Sequence, residues 1–231
     1  MKERTLTPKK RAARAGEILK ELYPDAACSL EFSGDPWRLL VMGRLSAQCT
    51  DARVNIVCRD LFLKYPDCDA MASADLSELE QAVKPCGLYK TKAASLLAAS
   101  QMVRDEFGGK IPDTMEDLLR LPGVGRKIAN LLLGDIYKKG GIVADTHCIR
   151  ICGRLGFYPE EKKDPLFTER VMEKLIPPAE QSDFCHRVVH FGREYCTARA
   201  PRCAECPMKE ICKKGSVGEG RGNPNKKRKT P

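Results

Sequence analysis

Along most of the chain apolar side chains recur every three to four positions, as in Val54, Val57, Cys58, Leu61 and Phe62 after Asp51. That spacing lines one face of a helix. Cap residues stand ahead of such stretches. Asp35-Pro36 precedes Trp37-Arg38-Leu39-Leu40-Val41-Met42, and Thr7-Pro8 opens a basic amphipathic segment that closes near Tyr23-Pro24. An oxygen-bearing cap followed by proline at the first helical position is a helix start. Further starts are expected near Asp75, Thr91, Asp113, Gly125, Asp145, Asp164 and Ser182. Period-two alternation is scarce, and the Gly/Pro breaks are spaced for short helices. The pattern predicts an all-α protein of about ten helices of typical length.

Composition changes this picture little. Hydrophobic residues at 42% and charged residues at 31% of 231 describe a globular chain with room for one large domain or two small ones. No apolar run approaches the roughly 20 residues of a membrane-spanning helix, so no membrane partner is expected. Met1-Lys2-Glu3-Arg4-Thr5 leads into basic residues and not into a signal core. Twelve cysteines without an export signal imply a reducing compartment. Cys49, Cys58, Cys148 and Cys152 read as small buried hydrophobes.

Charge is more informative by location than by size. Residues 1–14 hold six Lys/Arg against one Glu and residues 213–231 seven against one, so of the net +9 the ends carry +5 and +6 and the remainder −2. Bulk charge therefore does not mark the central part as a polyanion binder, and local motifs must. The glycine- and charge-rich end, 213–231, is expected to be disordered, with Lys226-Lys227-Arg228-Lys229 a weak match to an import signal.

Leu121-Pro122-Gly123-Val124-Gly125-Arg126-Lys127 lies between helical patterns at Thr114–Arg120 and Arg126–Lys138. Gly123 and Gly125 allow a tight turn that turns backbone N–H groups and a positive helix end outward, a seat for a phosphate to which Arg126 adds a cation. The same residues also suit an ordinary helix–helix connection. Lys127 falls in the first turn of the second helix, where the dipole and Arg126 favour the neutral amine that a nucleophile needs. Its bland alternative is a solvated lysine. Asp145 in Ala144-Asp145-Thr146-His147 stands where an N-cap stands, which fixes an ionised carboxylate in position as well as capping the helix. His147 is read chiefly as a hydrogen-bonded support for Asp145.

Cys196, Cys203, Cys206 and Cys212 form C-x6-C-x2-C-x5-C. Four thiolates this close can enclose one metal centre. Zinc is a rival, although its sites commonly pair two short knuckles and only Cys203 and Cys206 form one. Arg199 and Arg202 lie between the first two cysteines, where a pinned loop presents them to a phosphate backbone.

These motifs together resemble the endonuclease III family of helix–hairpin–helix DNA glycosylases. The resemblance rests on the Leu121–Lys127 run, on Ala144-Asp145-Thr146-His147 and on the cysteine spacing. It extends to Leu45-Ser46-Ala47-Gln48-Cys49-Thr50-Asp51 and Gly87-Leu88-Tyr89-Lys90-Thr91-Lys92-Ala93, and runs from about Ala15 to Cys212. Cys49 and Ile128 are departures from the family pattern.

The resemblance implies two helical lobes with a DNA-binding cleft between them. Residues 29–139 form one lobe with the hairpin; residues 1–28 join 140–212 in the other, which carries a four-iron–four-sulfur cluster held by the four cysteines. It implies a monomeric glycosylase and AP lyase acting on duplex DNA with damaged bases, oxidised pyrimidines, or abasic sites. Lys127 and Asp145 are then the catalytic pair facing each other across the cleft. Gln48 fills the gap left by an extruded base, Leu88 is a wedge, and Gly123, Gly125, Arg126, His147, Arg199 and Arg202 contact DNA. The rivals are a purely hydrolytic adenine or mismatch glycosylase, which needs no Lys127, and a non-catalytic iron–sulfur DNA-binding module. A bacterial cytoplasm is expected, or a nucleus for a eukaryotic source.

Overall fold

A computed structural model describes residues 6–215. Among them the regular structure is entirely helical, and the chain divides into two compact units. The disordered tail and the basic run at 226–229 expected from sequence fall outside the described residues, apart from 213–215.

One unit comprises residues 27–143 and 177–182. It holds α2 (Pro36–Leu45), α3 (Asp51–Lys64), α4 (Cys68–Ala72), α5 (Leu76–Val83), α6 (Tyr89–Phe107), α7 (Met115–Arg120) and α8 (Arg126–Asp135). Local chemistry sets most boundaries. Asp35 accepts from the N–H groups of Trp37 and Arg38 with Pro36 at the first position, and Thr50, Asp67, Asp75 and Thr114 cap α3, α4, α5 and α7 through side-chain oxygens. α6 packs against α4, α5 and α2, and α8 against α2 and α7, burying Leu39, Leu45, Leu61, Leu79, Leu96, Leu118 and Leu132 in one apolar core. Such a core is the main favourable contribution to folding.

Among the described residues the other unit comprises 6–26, 144–176 and 183–215. It holds α1 (Pro8–Leu22), α9 (Thr146–Leu155), α10 (Pro165–Leu175) and most of α11 (Gln181–Glu194). α1 packs against α10. Arg11, counted above in the basic N-terminal excess, is buried at 2% exposure and donates to the Gly156 carbonyl at 3.2 Å. Part of that basic charge therefore belongs to the fold and is not offered to a partner.

Several expectations need correction. α4, five residues long, gave too short a period to be read from sequence. α6 begins at Tyr89, two residues before the expected Thr91, because Leu88 in a left-handed conformation starts it without a side-chain cap. α8 stops at Asp135 and not at Lys138: Tyr137 and Lys139 donate back to Leu132 and Leu133 carbonyls while Lys138 turns left-handed at φ 54°. Cys58, Cys148 and Cys152 are buried as expected, but Cys49 is half-buried, being in the turn after α2.

Candidate functional site

The hairpin turn is built around Gly123. Its φ of +80° is a conformation that side chains resist. A Cβ there would stand 2.6 Å from Arg44 Nε and 2.8 Å from Ser95 Cβ, so α2 and α6 press directly on the turn. Arg44 Nε donates to Ser95 Oγ at 2.8 Å, and burial pulls the guanidinium pKa below its ordinary value. Sequence reading missed Arg44 and Ser95, since nothing local to either points at a turn so far along the chain. Gly125 differs. Its φ is −103° and a Cβ would meet nothing within 4 Å, so no internal crowding explains a glycine there. The exposed, bare backbone suits close approach by a ligand.

Among the described residues the N–H groups of Gly123, Gly125 and Lys127 have no acceptor, while Ile128 and Ala129 both donate to the Gly125 carbonyl. Those open donors sit at the positive end of α8. Arg126 is half-buried at the first position of the helix. Lys127 is exposed at the second, and among the described residues its amine has neither an ion pair nor a hydrogen bond.

Gln48 and Leu88 belong to the same unit and share an unusual backbone. Gln48 is exposed three residues beyond the end of α2, at φ 56°, and Leu88 is 57% exposed at φ 48°. A left-handed conformation costs a non-glycine residue roughly 1–2 kcal/mol. Such strain on an exposed leucine concentrates at functional positions. Lys92, fully buried, donates to the Leu45 carbonyl at 2.8 Å and to the Cys86 carbonyl at 2.9 Å, tying the two turns to one end of the unit. Gly43 of α2 abuts Ile128, next to Lys127, which brings the start of α8 against α2 as well.

In the other unit Asp145 caps α9. Its Oδ1 accepts from the Cys148 N–H at 2.7 Å, and among the described residues the side chain makes no other hydrogen bond. His147 Nδ1 lies 3.1 Å from Arg150 Nη2. Arginine can only donate, so in this contact the ring nitrogen is the acceptor. Arg150 in turn donates through Nε and Nη2 to the Cys196 carbonyl at 3.1 and 3.0 Å. One turn further on, Arg154 Nη1 reaches the Thr197 carbonyl at 2.7 Å and Cys196 Sγ at 3.4 Å, and Nη2 the Ala198 carbonyl at 2.9 Å. The helix that Asp145 starts therefore holds the first part of the cysteine loop. Two arginines four apart on a helix carry no sequence signal for this, and neither was picked out.

The four cysteines form an all-thiol donor set on a loop of 3-10 and turn structure. Cys203 is exposed and the others are half-buried. Burial, joined by the neighbouring Cys212, Cys196 and Cys203 sulfurs, pushes the Cys206 thiol up to about 11; Cys212 is raised by burial too. Thiols that repel one another's negative charge suit a shared cationic core. Gly215 N–H and Arg154 Nη1 supply donors to Cys212 and Cys196 sulfurs, both at 3.4 Å. Among the described residues no three metal-ligating side chains converge on a single point as one ion requires. An all-sulfur donor set is the kind that holds an iron–sulfur cluster. Of the two loop arginines, Arg199 is exposed and without a partner among the described residues. Arg202 pairs with Glu205 and lies over the Tyr195 ring, 5.6 Å from its centroid.

Comparison with known proteins agrees with this geometry. Residues 41–178 match the family described as HhH-GPD superfamily base excision DNA repair protein, and residues 196–212 match the iron–sulfur binding domain of endonuclease III. The chain is 42% identical to the endonuclease III of Synechocystis over 205 residues, covering 88% of this chain and 92% of that one. A solved non-covalent endonuclease III–DNA complex superposes with a TM-score of 0.86 at 36% identity, covering 94% of this chain and all of the other. A trapped endonuclease III–DNA covalent intermediate gives 0.86 at 37%, covering 93% and all. No described helix is long and apolar enough to cross a membrane. The chain belongs to the endonuclease III family and is a base-excision DNA glycosylase and AP lyase with a four-iron–four-sulfur cluster.

Proposed function

We propose that this enzyme removes oxidised pyrimidines from duplex DNA, acting as a monomer, with Lys127 as the nucleophile. The observation that carries the reading is the unpartnered, exposed Lys127 amine beside the open N–H groups of the Gly123–Gly125 turn. An exposed amine with no carboxylate or carbonyl holding it is free to reach a substrate carbon as a nucleophile. The covalent intermediate trapped in the endonuclease III structure supports an enzyme–DNA bond in the reaction.

The reaction starts with extrusion of the damaged nucleotide, whose unstacking costs a few kcal/mol and less for a damaged base. Leu88 is the apolar wedge and Gln48 the polar group filling the gap. Gly123 and Gly125 N–H groups, with Arg126, hold a backbone phosphate, and Arg199 and Arg202 extend that contact from the cysteine loop. The Lys127 amine attacks the sugar C1′. The glycosidic bond breaks, and the base leaves with the bonding electrons. Asp145, fixed by the Cys148 N–H, stabilises cationic character on the sugar, and the proton shed by the lysine nitrogen passes to solvent. The sugar then opens to a Schiff base, C2′ loses a proton, and β-elimination breaks the C3′–O bond. His147 positions the start of α9. Cys196, Cys203, Cys206 and Cys212 hold the cluster, which supplies a rigid clamp for the loop. The bacterial relatives support action in a bacterial cytoplasm.

Borohydride trapping on a duplex with one thymine glycol tests the reading. Wild type should give a covalent protein–DNA band and Lys127→Ala none. Base release without an adduct indicates a hydrolytic glycosylase. Trapping that survives Lys127→Ala removes Lys127 from its role.

A further inference from the structure

Arg44 has more donors than its contacts within the fold use. It is the penultimate residue of α2 and half-buried beside the hairpin turn, where a Cβ on Gly123 would stand 2.6 Å from its Nε. Nε donates to Ser95 Oγ at 2.8 Å, and Ser95 Oγ donates in turn to the Lys92 carbonyl at 2.9 Å. That chain restrains the guanidinium from α6. The two terminal nitrogens carry the remaining N–H groups. Among the described residues they have neither a hydrogen bond nor an ion pair, and both reach solvent.

The guanidinium also lacks a counter-charge. α6 adds a second cation to the same place, Lys92, which is fully buried and bound only to the Leu45 and Cys86 carbonyls. Among the described residues no carboxylate pairs with either cation. A charge taken partly out of water normally meets an opposite one. Bracing the turn needs only Nε. A cation at a helix C-terminus gains its dipole interaction at the surface, with no need of burial. Neither role uses the terminal nitrogens, which form a fork next to a turn whose Gly123, Gly125 and Lys127 N–H groups are also without acceptors among the described residues. A guanidinium fork matches two oxygens of a phosphate.

We propose that Arg44 is a further DNA-contact residue, its guanidinium held by Ser95 and pairing through the terminal nitrogens with a backbone phosphate at the Gly123–Gly125 turn. Three helices then supply that seat: α8 through its open N–H groups, α2 through Arg44, and α6 through the Ser95 hydroxyl that orients it. The contact adds affinity and register and takes no part in bond breaking. It rests on the reading above that the hairpin turn holds a phosphate.

The test titrates full-length, cluster-loaded protein with a duplex carrying one tetrahydrofuran abasic analogue, which binds without being cut, at about 50 to 200 mM salt. Each phosphate contact contributes about 0.9 to the slope of log affinity against log salt. Arg44→Met keeps the packed stem and should lose that share of the slope, so fourfold more salt costs it about 3.5-fold less affinity than it costs wild type. Ser95→Ala keeps the charge and should keep the wild-type slope while binding more weakly at every salt concentration. Duplexes with a single methylphosphonate, which removes one phosphate charge, locate the contact: at one position they should weaken wild type and leave Arg44→Met unaffected. Arg44→Gln repeats both measurements should Arg44→Met lose its cooperative melt. A wild-type slope without the Arg44 charge, the same loss of slope in Ser95→Ala, or methylphosphonates that weaken wild type and variant alike at every position overturns the proposal. Gly125→Ala in the same titration separates the two readings: wild-type affinity there defeats the hairpin seat, while weakened binding there beside any of those outcomes defeats the Arg44 contact alone.

Discussion

The two glycines of the hairpin look alike in sequence but are expected to fail differently when replaced. For Gly123→Ala the structure supplies two penalties. The left-handed φ of +80° costs an alanine about 1 kcal/mol more than a glycine. The new methyl also collides with Arg44 and Ser95, 2.6 and 2.8 Å away, and must break or displace the 2.8 Å bond between them. Loss of a partly buried hydrogen bond to a charged group costs about 1.5–3 kcal/mol. Together these come to roughly 3 kcal/mol, or about 6–12 °C in Tm for a chain of this size. Gly125→Ala meets open space at φ −103°. A small loss at the N-cap opposes a gain of about 0.4–1 kcal/mol from restricting the unfolded chain, so its Tm should stay within about 3 °C. Its methyl nevertheless covers the open N–H groups, so duplex binding should weaken in Gly125→Ala despite its native stability. Thermal melts and DNA titrations of both variants at fixed salt provide the comparison. Equal destabilisation by the two, or wild-type DNA affinity in Gly125→Ala, refutes the distinction between an internally crowded glycine and one kept bare for a ligand.

Other outcomes follow from single contacts. Asp145→Asn keeps an oxygen for the Cys148 N–H and should hold stability, whereas Asp145→Ala should lose about 1 kcal/mol in a denaturant titration; both should lose incision. Wild-type rates in Asp145→Asn would leave the residue a cap alone. Leu88→Gly relieves a left-handed leucine that is 57% exposed, so it should raise Tm slightly while slowing base release, and a drop in Tm contradicts the strain argument. Arg154→Met removes the bonds to the 197 and 198 carbonyls and should speed loss of the visible cluster absorption in air, with α-helix content by circular dichroism unchanged.

What could be read without coordinates was what local chemistry controls. Caps at Thr7, Asp35, Asp75, Asp145 and Asp164, and prolines at first helical positions, place helix starts because they satisfy orphan N–H groups within three residues of themselves. The cysteine spacing was legible for the same reason, a loop short enough to close on one centre. Features joining distant segments were not. Arg44 and Ser95 meet Gly123 across 79 and 28 residues of sequence, and Arg150 and Arg154 clasp the cysteine loop more than 40 residues on. Lys92 reads as one more surface lysine until burial turns it into the tie between two turns. Sequence alone determined the capped helices, the hairpin and the thiol set, because each is specified by neighbours in the chain; the five-residue α4 and the ends of α6 and α8 were not so specified. Only the tertiary structure decided which glycine is crowded and which arginines are spent on the fold, because those depend on side chains that packing brings together.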